Sequence, residues 1–173
     1  MTTGADLLVD AFDRVQEAVH EAVSGLSVEE LHARLDPDAN TIAWLIWHLT
    51  RVQDDHVADV ADKEQVWLRD GWAERFDLPL DPTAIGYGHT SDEVAAVRVG
   101  DPKLLLDYHD GVHRQTIDYI KGLSDEDYDR IVDHSWDPAV TLGVRLVSVL
   151  GDTMMHVGQA QYVRGILDRR AEA

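Results

Sequence analysis

The sequence predicts an all-α fold: a four-helix bundle with short extra helices and an irregular connection between the second and third long helices. Three observations carry this. Apolar residues recur at helical spacing in four long segments, cap and breaker residues bound those segments, and no strand-period alternation of useful length appears. The chain of 173 residues is 45% hydrophobic, enough to bury one core, so residues 1–173 are read as a single domain.

Residues 5–23 place Leu8, Phe12, Val15, Val19 and Val23 on one helical face, and Ser24-Gly25 ends the segment. Ser27 followed by Glu30 is a capping-box pattern for a short helix, and Pro37 then breaks the chain. Asn40 is the expected N-cap of a long helix over about 41–62. Residues 63–101 are the least regular part, with Trp67, Trp72, Pro79, Pro82, Gly71, Gly86, Gly88 and room for two short helices. Pro102 after Asp101 suits the first turn of a third long helix running to Lys121-Gly122. "SDEDYDRIVD" reads as a Ser-capped turn of helix and "HSWDPAVT" as a turn. The last helix is expected from about Thr141 to Arg169 or Arg170.

Composition narrows the function. A net charge of −18 opposes binding to nucleic acid or to an anionic membrane surface. No apolar run is long enough for a membrane span, and the N-terminus has neither a basic region nor a continuous apolar one, so a cytoplasmic protein is expected. The absence of cysteine removes disulfides, Cys-based zinc sites and a protein thiol nucleophile; any thiol chemistry must use a thiol from outside. Among the fifteen basic residues Arg outnumbers Lys twelve to three, a compositional hint of a GC-rich, actinobacterial genome.

The last helix holds an anomaly. In "GDTMMHVGQ", Asp152 and His156 lie one turn apart, within roughly 40° on a helical wheel, on the side shared by Leu142, Val149, Ala160, Val163 and Leu167. A carboxylate on an apolar face needs a partner: either an ion pair with His156 or a divalent cation. His48, beneath Trp44 in the apolar "TIAWLIWHL", is the best third ligand. Two histidines and one carboxylate leave a fourth position open, which marks a catalytic zinc site rather than a structural one. The competing explanation is a hydrogen-bonded core histidine, the commoner fate of a lone His on an apolar face. His109 and His113 form a rival pair one turn apart, but "DYHDGVH" is more polar and holds Gly111, so they are expected to face solvent or line a pocket. His20, His32, His56, His89 and His134 sit in polar surroundings and are expected mostly at the surface.

"NTIAWLIWHLTRVQDDH", followed about 100 residues later by "TLGVRLVSVLGDTMMHVGQAQYVRG", resembles the DinB/YfiT-like superfamily of metal-binding four-helix bundles. Within it the chain looks most like the mycothiol-dependent branch, which includes mycothiol S-transferases and the N-terminal domain of mycothiol-dependent maleylpyruvate isomerase. The resemblance covers essentially the whole chain; "WHL" and "HVGQ" are its most specific parts. It implies His48, Asp152 and His156 as the metal ligands. Many relatives carry His at the middle position, whereas the mycothiol-dependent ones tend to carry an acidic residue, more often Glu than the Asp152 found here.

The resemblance therefore implies a metal-dependent, zinc-first S-transferase that activates a low-molecular-weight thiol, mycothiol, against an electrophilic or xenobiotic substrate. Iron, nickel or manganese would also suit the donor set. A metal-dependent hydrolase and a non-enzymatic metal- or thiol-binding bundle stay open as alternatives. Trp44, Arg51, Asp55, Arg145 and Gln159 are the candidate thiol- or substrate-contacting residues, since they continue the His48 and Asp152/His156 faces. Trp44 equally suits the core, Arg145 a salt bridge at the bundle end, and Arg51 and Asp55 a solvated edge. Homodimer formation is expected by analogy with such bundles.

Overall fold

The computed structural model describes residues 1–171, which form eight α-helices, one 3-10 turn and a two-stranded antiparallel ribbon. The four long helices are α1 (Gly4–Val23), α3 (Ile42–Ala61), α7 (Pro102–Lys121) and α8 (Leu142–Ala171). Both α1 and α3 pack against α7 and α8, while α1 and α3 face each other across the diagonal. The all-α bundle expected from helical periodicity is the observed fold.

Local signals set most boundaries. Thr3 caps α1, its hydroxyl accepting from the Asp6 N–H while the Asp6 carboxylate accepts from the Thr3 N–H. Ser27 and Glu30 form the same reciprocal pair at α2 (Val28–Leu31), and Asp101 caps α7 ahead of Pro102. The start of α3 differs from expectation. Its N-cap is Thr41, whose hydroxyl accepts from the Trp44 N–H at 3.0 Å, rather than Asn40. Either residue can cap, and the extended backbone at Thr41 decides which does.

The 63–101 connection holds three short helices, one more than the pattern suggests: α4 (Val66–Arg69), α5 (Trp72–Phe76) and α6 (Ser91–Ala96). It lies over α3 and α7 and packs by aromatic contact. Trp67 meets Trp47 at 6.5 Å and Tyr108 at 5.1 Å between ring centroids, and Trp72 meets Tyr108 at 5.7 Å. With α7, α8 and this cover around it, α3 is buried at every position from Ile42 to Asp54. In a helix enclosed on all sides, each polar group left without a partner costs stability.

The expected helical turn over 124–133 is a 3-10 segment, Asp125–Asp129, followed by a strand, β1 (Ile131–Asp133), and the expected turn over 134–141 joins it to β2 (Val140–Thr141), which takes its last two residues. Strands of three and two residues show no alternation for a sequence reading to detect. No described helix is long and apolar enough to cross a membrane.

The expectation for His109 and His113 is overturned. His109 is completely buried and His113 nearly so, because α7 is enclosed between α1 and α3 and its polar sequence faces inward there. Gly111, which read as an interruption, lets Val66 approach: a Cβ there would lie 3.2 Å from the Val66 side chain. His113 pairs with Asp13 at 3.0 Å, whereas neither ring nitrogen of His109 has a hydrogen-bond partner. Burial, reinforced by neighbouring His113, pushes the His109 pKa down to about 3.

A pH dependence follows. Between pH 6.5 and about 3 the unfolded chain binds a proton at His109 that the folded chain refuses. This contribution is fully present above pH 6.5 and is lost as pH falls, at up to about 1.4 kcal/mol per pH unit. His109→Leu removes the titrating group. Urea unfolding at pH 7 and pH 5 should show a smaller loss of stability for this variant than for the wild type.

Candidate metal centre

Helix α3 contributes His48, 2% exposed, and α8 contributes Asp152 and His156 from one turn. The α3–α8 packing brings them together: one ligand atom from each of the three lies within 4.8 Å of the others. The His48 and His156 rings are 4.7 Å apart in an edge-to-face arrangement.

Both imidazoles are tethered through Nδ1 to a backbone carbonyl. His48 Nδ1 is 2.5 Å from the Ile85 oxygen, and His156 Nδ1 is 2.8 Å from the Asp152 carbonyl one turn back. A carbonyl only accepts, so each Nδ1 carries a proton, and in the neutral ring it is Nε2 that keeps the lone pair. Outer tethers of this kind orient metal-binding histidines. Burial holds the His48 pKa below its ordinary value, favouring the neutral ring; the Asp152 carboxylate raises that of His156.

Asp152 supplies the test of fit. Its Oδ2 is buried without a hydrogen-bond partner and lies 3.5 Å from His156 Nδ1, whose proton is already directed at the Asp152 carbonyl. An unsatisfied carboxylate oxygen costs on the order of 1–3 kcal/mol or more. Two imidazoles with free Nε2 atoms and one under-coordinated carboxylate are a donor set that fits a divalent cation.

The His48 ring is fixed on its faces and edge. Trp44 stacks on it at 4.6 Å and 14°, and Tyr87 stands edge-on at 5.3 Å. Trp44 also donates from Nε1 to His89 Nδ1 at 3.2 Å. Gly86 lies against the imidazole: a Cβ there would be 2.4 Å from His48 Nδ1, and its φ of 102° is one that side chains rarely adopt. Beside the triad opens a cleft of about 220 Å³, lined by Val52, His56, Tyr87, Trp136, Val144 and Arg145. The ribbon places Trp136, 70% exposed, at its rim.

The other candidates separate. Trp44 is both core and a wall of the site. Arg145 lines the cleft, pairs with Asp133 at 2.9 Å and lies 3.4 Å from His56 Nδ1. Asp55 is half-buried and accepts from Gln65 at 2.7 Å. Arg51 lies on no solvated edge; it is fully buried in a polar network. Gln159 is exposed in a separate, more open groove with Asn40, Leu45 and Tyr162. Sequence reasoning missed Ile85, Gly86, Tyr87 and His89. The available signal was "IGYGH", where two glycines flank an aromatic and both adopt positive φ.

Gly86→Ala and Gly88→Ala separate backbone strain from the close approach, because a Cβ at Gly88 meets nothing within 4 Å. Thermal unfolding should show a loss of about 1–2 kcal/mol for Gly88→Ala. Gly86→Ala should lose roughly 2 kcal/mol more, because His48 must move. Equal losses would contradict the packing described.

The family model described as the DinB superfamily matches residues 11–160, a span that includes His48, Asp152 and His156. The solved structure of a conserved protein from Enterococcus faecalis is similar to this chain, with a TM-score of 0.89 and 32% identity. The match covers 95% of this chain and 96% of that one. No curated protein matches the chain.

Proposed function

Because the chain belongs to the DinB superfamily of metal-binding bundles, we propose that it is a divalent-metal-dependent S-transferase. On this reading His48, Asp152 and His156 hold zinc, and a low-molecular-weight thiol, mycothiol, is joined to an electrophilic substrate in the cytoplasm. The observation that carries the proposal is the meeting of three ligand atoms within 4.8 Å, supplied by helices distant in sequence.

Bound there, a divalent cation supplies positive charge that favours a thiolate over a thiol, whose unperturbed pKa is about 8.5. The chain's own residues do the rest. His48 and His156 keep their protons on Nδ1 and present neutral Nε2 donors. Asp152 would offset one of the cation's two positive charges, so that the net charge left would suit a thiolate. The thiol proton leaves to solvent, sulfur forms a bond to the electrophilic carbon, and the electron pair of the breaking bond departs with the leaving group or opened epoxide oxygen.

The chain has no cysteine to occupy the open position or compete for the electrophile. The cleft flanked by Tyr87 and Trp136 is largely apolar and lies beside the ligands, so it can receive an organic electrophile and displace water. Arg145 and His56 give that cleft polar points for orienting a substrate.

Two measurements test the reading. Elemental analysis should find zinc or another divalent metal in the wild type, with retention lowered at least about 100-fold in His48→Ala and His156→Ala. Conjugation of mycothiol to a chlorobimane electrophile should require the metal-loaded wild type and vanish after metal stripping. Metal binding without conjugation of any cofactor thiol would defeat the transferase reading and leave a metal-dependent hydrolase to be assayed.

A further inference from the structure

Arg51 is a buried cation with no place in the chemistry above. It is fully enclosed one turn beyond His48, and its Nη2 has no hydrogen-bond partner. Desolvating a guanidinium costs several kcal/mol, so a replaceable Arg here would be a poor core residue. Its bonds show where it acts. Nε donates to the Ala84 carbonyl at 3.2 Å, and Nη1 donates to Gln65 Oε1 at 2.9 Å and to the Tyr108 hydroxyl at 3.4 Å.

The guanidinium sits 4.9 Å from the Trp67 ring centroid and 3.7 Å from the Asp54 carboxylate. Asp54 accepts from the Val66 and Trp67 N–H groups and from the Tyr108 hydroxyl, so Arg51 is itself held rigidly.

Ala84 is the residue before Ile85, whose carbonyl accepts from His48 Nδ1, and two before Gly86, which lies against the same ring. Residues 84–86 lie in the irregular stretch between α5 and α6, where no helix or strand fixes the direction of a carbonyl. We propose that Arg51 is a positioning residue: by clamping the Ala84 carbonyl it aims the Ile85 carbonyl at His48 and fixes that ring as the Nδ1–H tautomer with Nε2 free. His48 and Arg51 thus grip adjacent peptides of one strap. Lysine, a compact point charge, cannot serve Ala84, Gln65 and Asp54 together from one plane. The inference deepens the proposed function and rests on its assignment of His48 as a ligand.

The test compares the wild type with Arg51→Lys, which keeps the charge, and Tyr108→Phe, which removes the hydroxyl bracing Arg51 but keeps the ring. Far-UV circular dichroism establishes folding. Imidazole ¹⁵N shifts of His48 in metal-free protein report the tautomer, and titration with Zn²⁺ reports affinity. The wild type should show one tautomer, protonated at Nδ1. Arg51→Lys should show averaged tautomer shifts and Zn²⁺ affinity lowered about 10–100-fold, and Tyr108→Phe a smaller change in the same direction.

A folded Arg51→Lys with wild-type shifts and affinity would overturn the proposal. If Arg51→Lys does not fold, wild-type shifts and affinity in Tyr108→Phe overturn it instead. A wild type that binds no Zn²⁺ would refute the metal reading, while the ¹⁵N shifts would still report whether Arg51 controls the ring.

Discussion

The complete burial of α3 is the constraint on which the rest of the molecule depends. From Ile42 to Asp54 every position is buried, yet the segment carries His48, Thr50, Arg51, Gln53 and Asp54. Thr50 donates to the Ile46 carbonyl of its own helix, while the other four draw partners from elsewhere in the chain. Thr116 accepts from Gln53, the start of α4 donates to Asp54, and the strap at residues 84–86 receives Arg51 and His48. The connection between α3 and α7 is therefore bound to the bundle by hydrogen bonds as well as by its tryptophans. The same enclosure that stabilises the helix orients the imidazole it carries.

The site gains its character from this arrangement. His48 is rigid because Trp44, Tyr87, Gly86 and Ile85 leave its ring little freedom. Asp152 and His156 are less enclosed, with side chains 17% and 18% exposed. One fixed donor deep in the bundle and a chelating pair near solvent suit a centre that retains a cation while exchanging what binds its open side. The chain's acidity sharpens the point, since an unneutralised Asp152 adds to an already negative molecule.

Much of this was legible in the sequence, for identifiable reasons. Helical spacing located the four long helices because each buries a continuous stripe, and the Ser27–Glu30 capping box was legible because such caps are local in sequence and space. The Asp152/His156 pair was legible because one helical turn is also one ligand spacing, and His48 because an imidazole inside "WLIWHL" has nowhere polar to go. The His109/His113 face was misread because its burial is imposed by α1 and α3, which the polar local pattern does not encode. Ile85 was invisible because its contribution is a carbonyl, the same in every residue. Trp136 and the cleft depended on a ribbon too short to leave a pattern.

The central claim is that His48, Asp152 and His156 form one metal centre across α3 and α8. A crystal structure of protein prepared with Zn²⁺, with anomalous scattering recorded at the zinc edge, tests it most directly. The account predicts one strong peak about 2.0–2.2 Å from His48 Nε2, His156 Nε2 and an Asp152 carboxylate oxygen, with both Nδ1 atoms still on their carbonyls. A peak held by other residues, or no peak with the triad ordered as described, would contradict it.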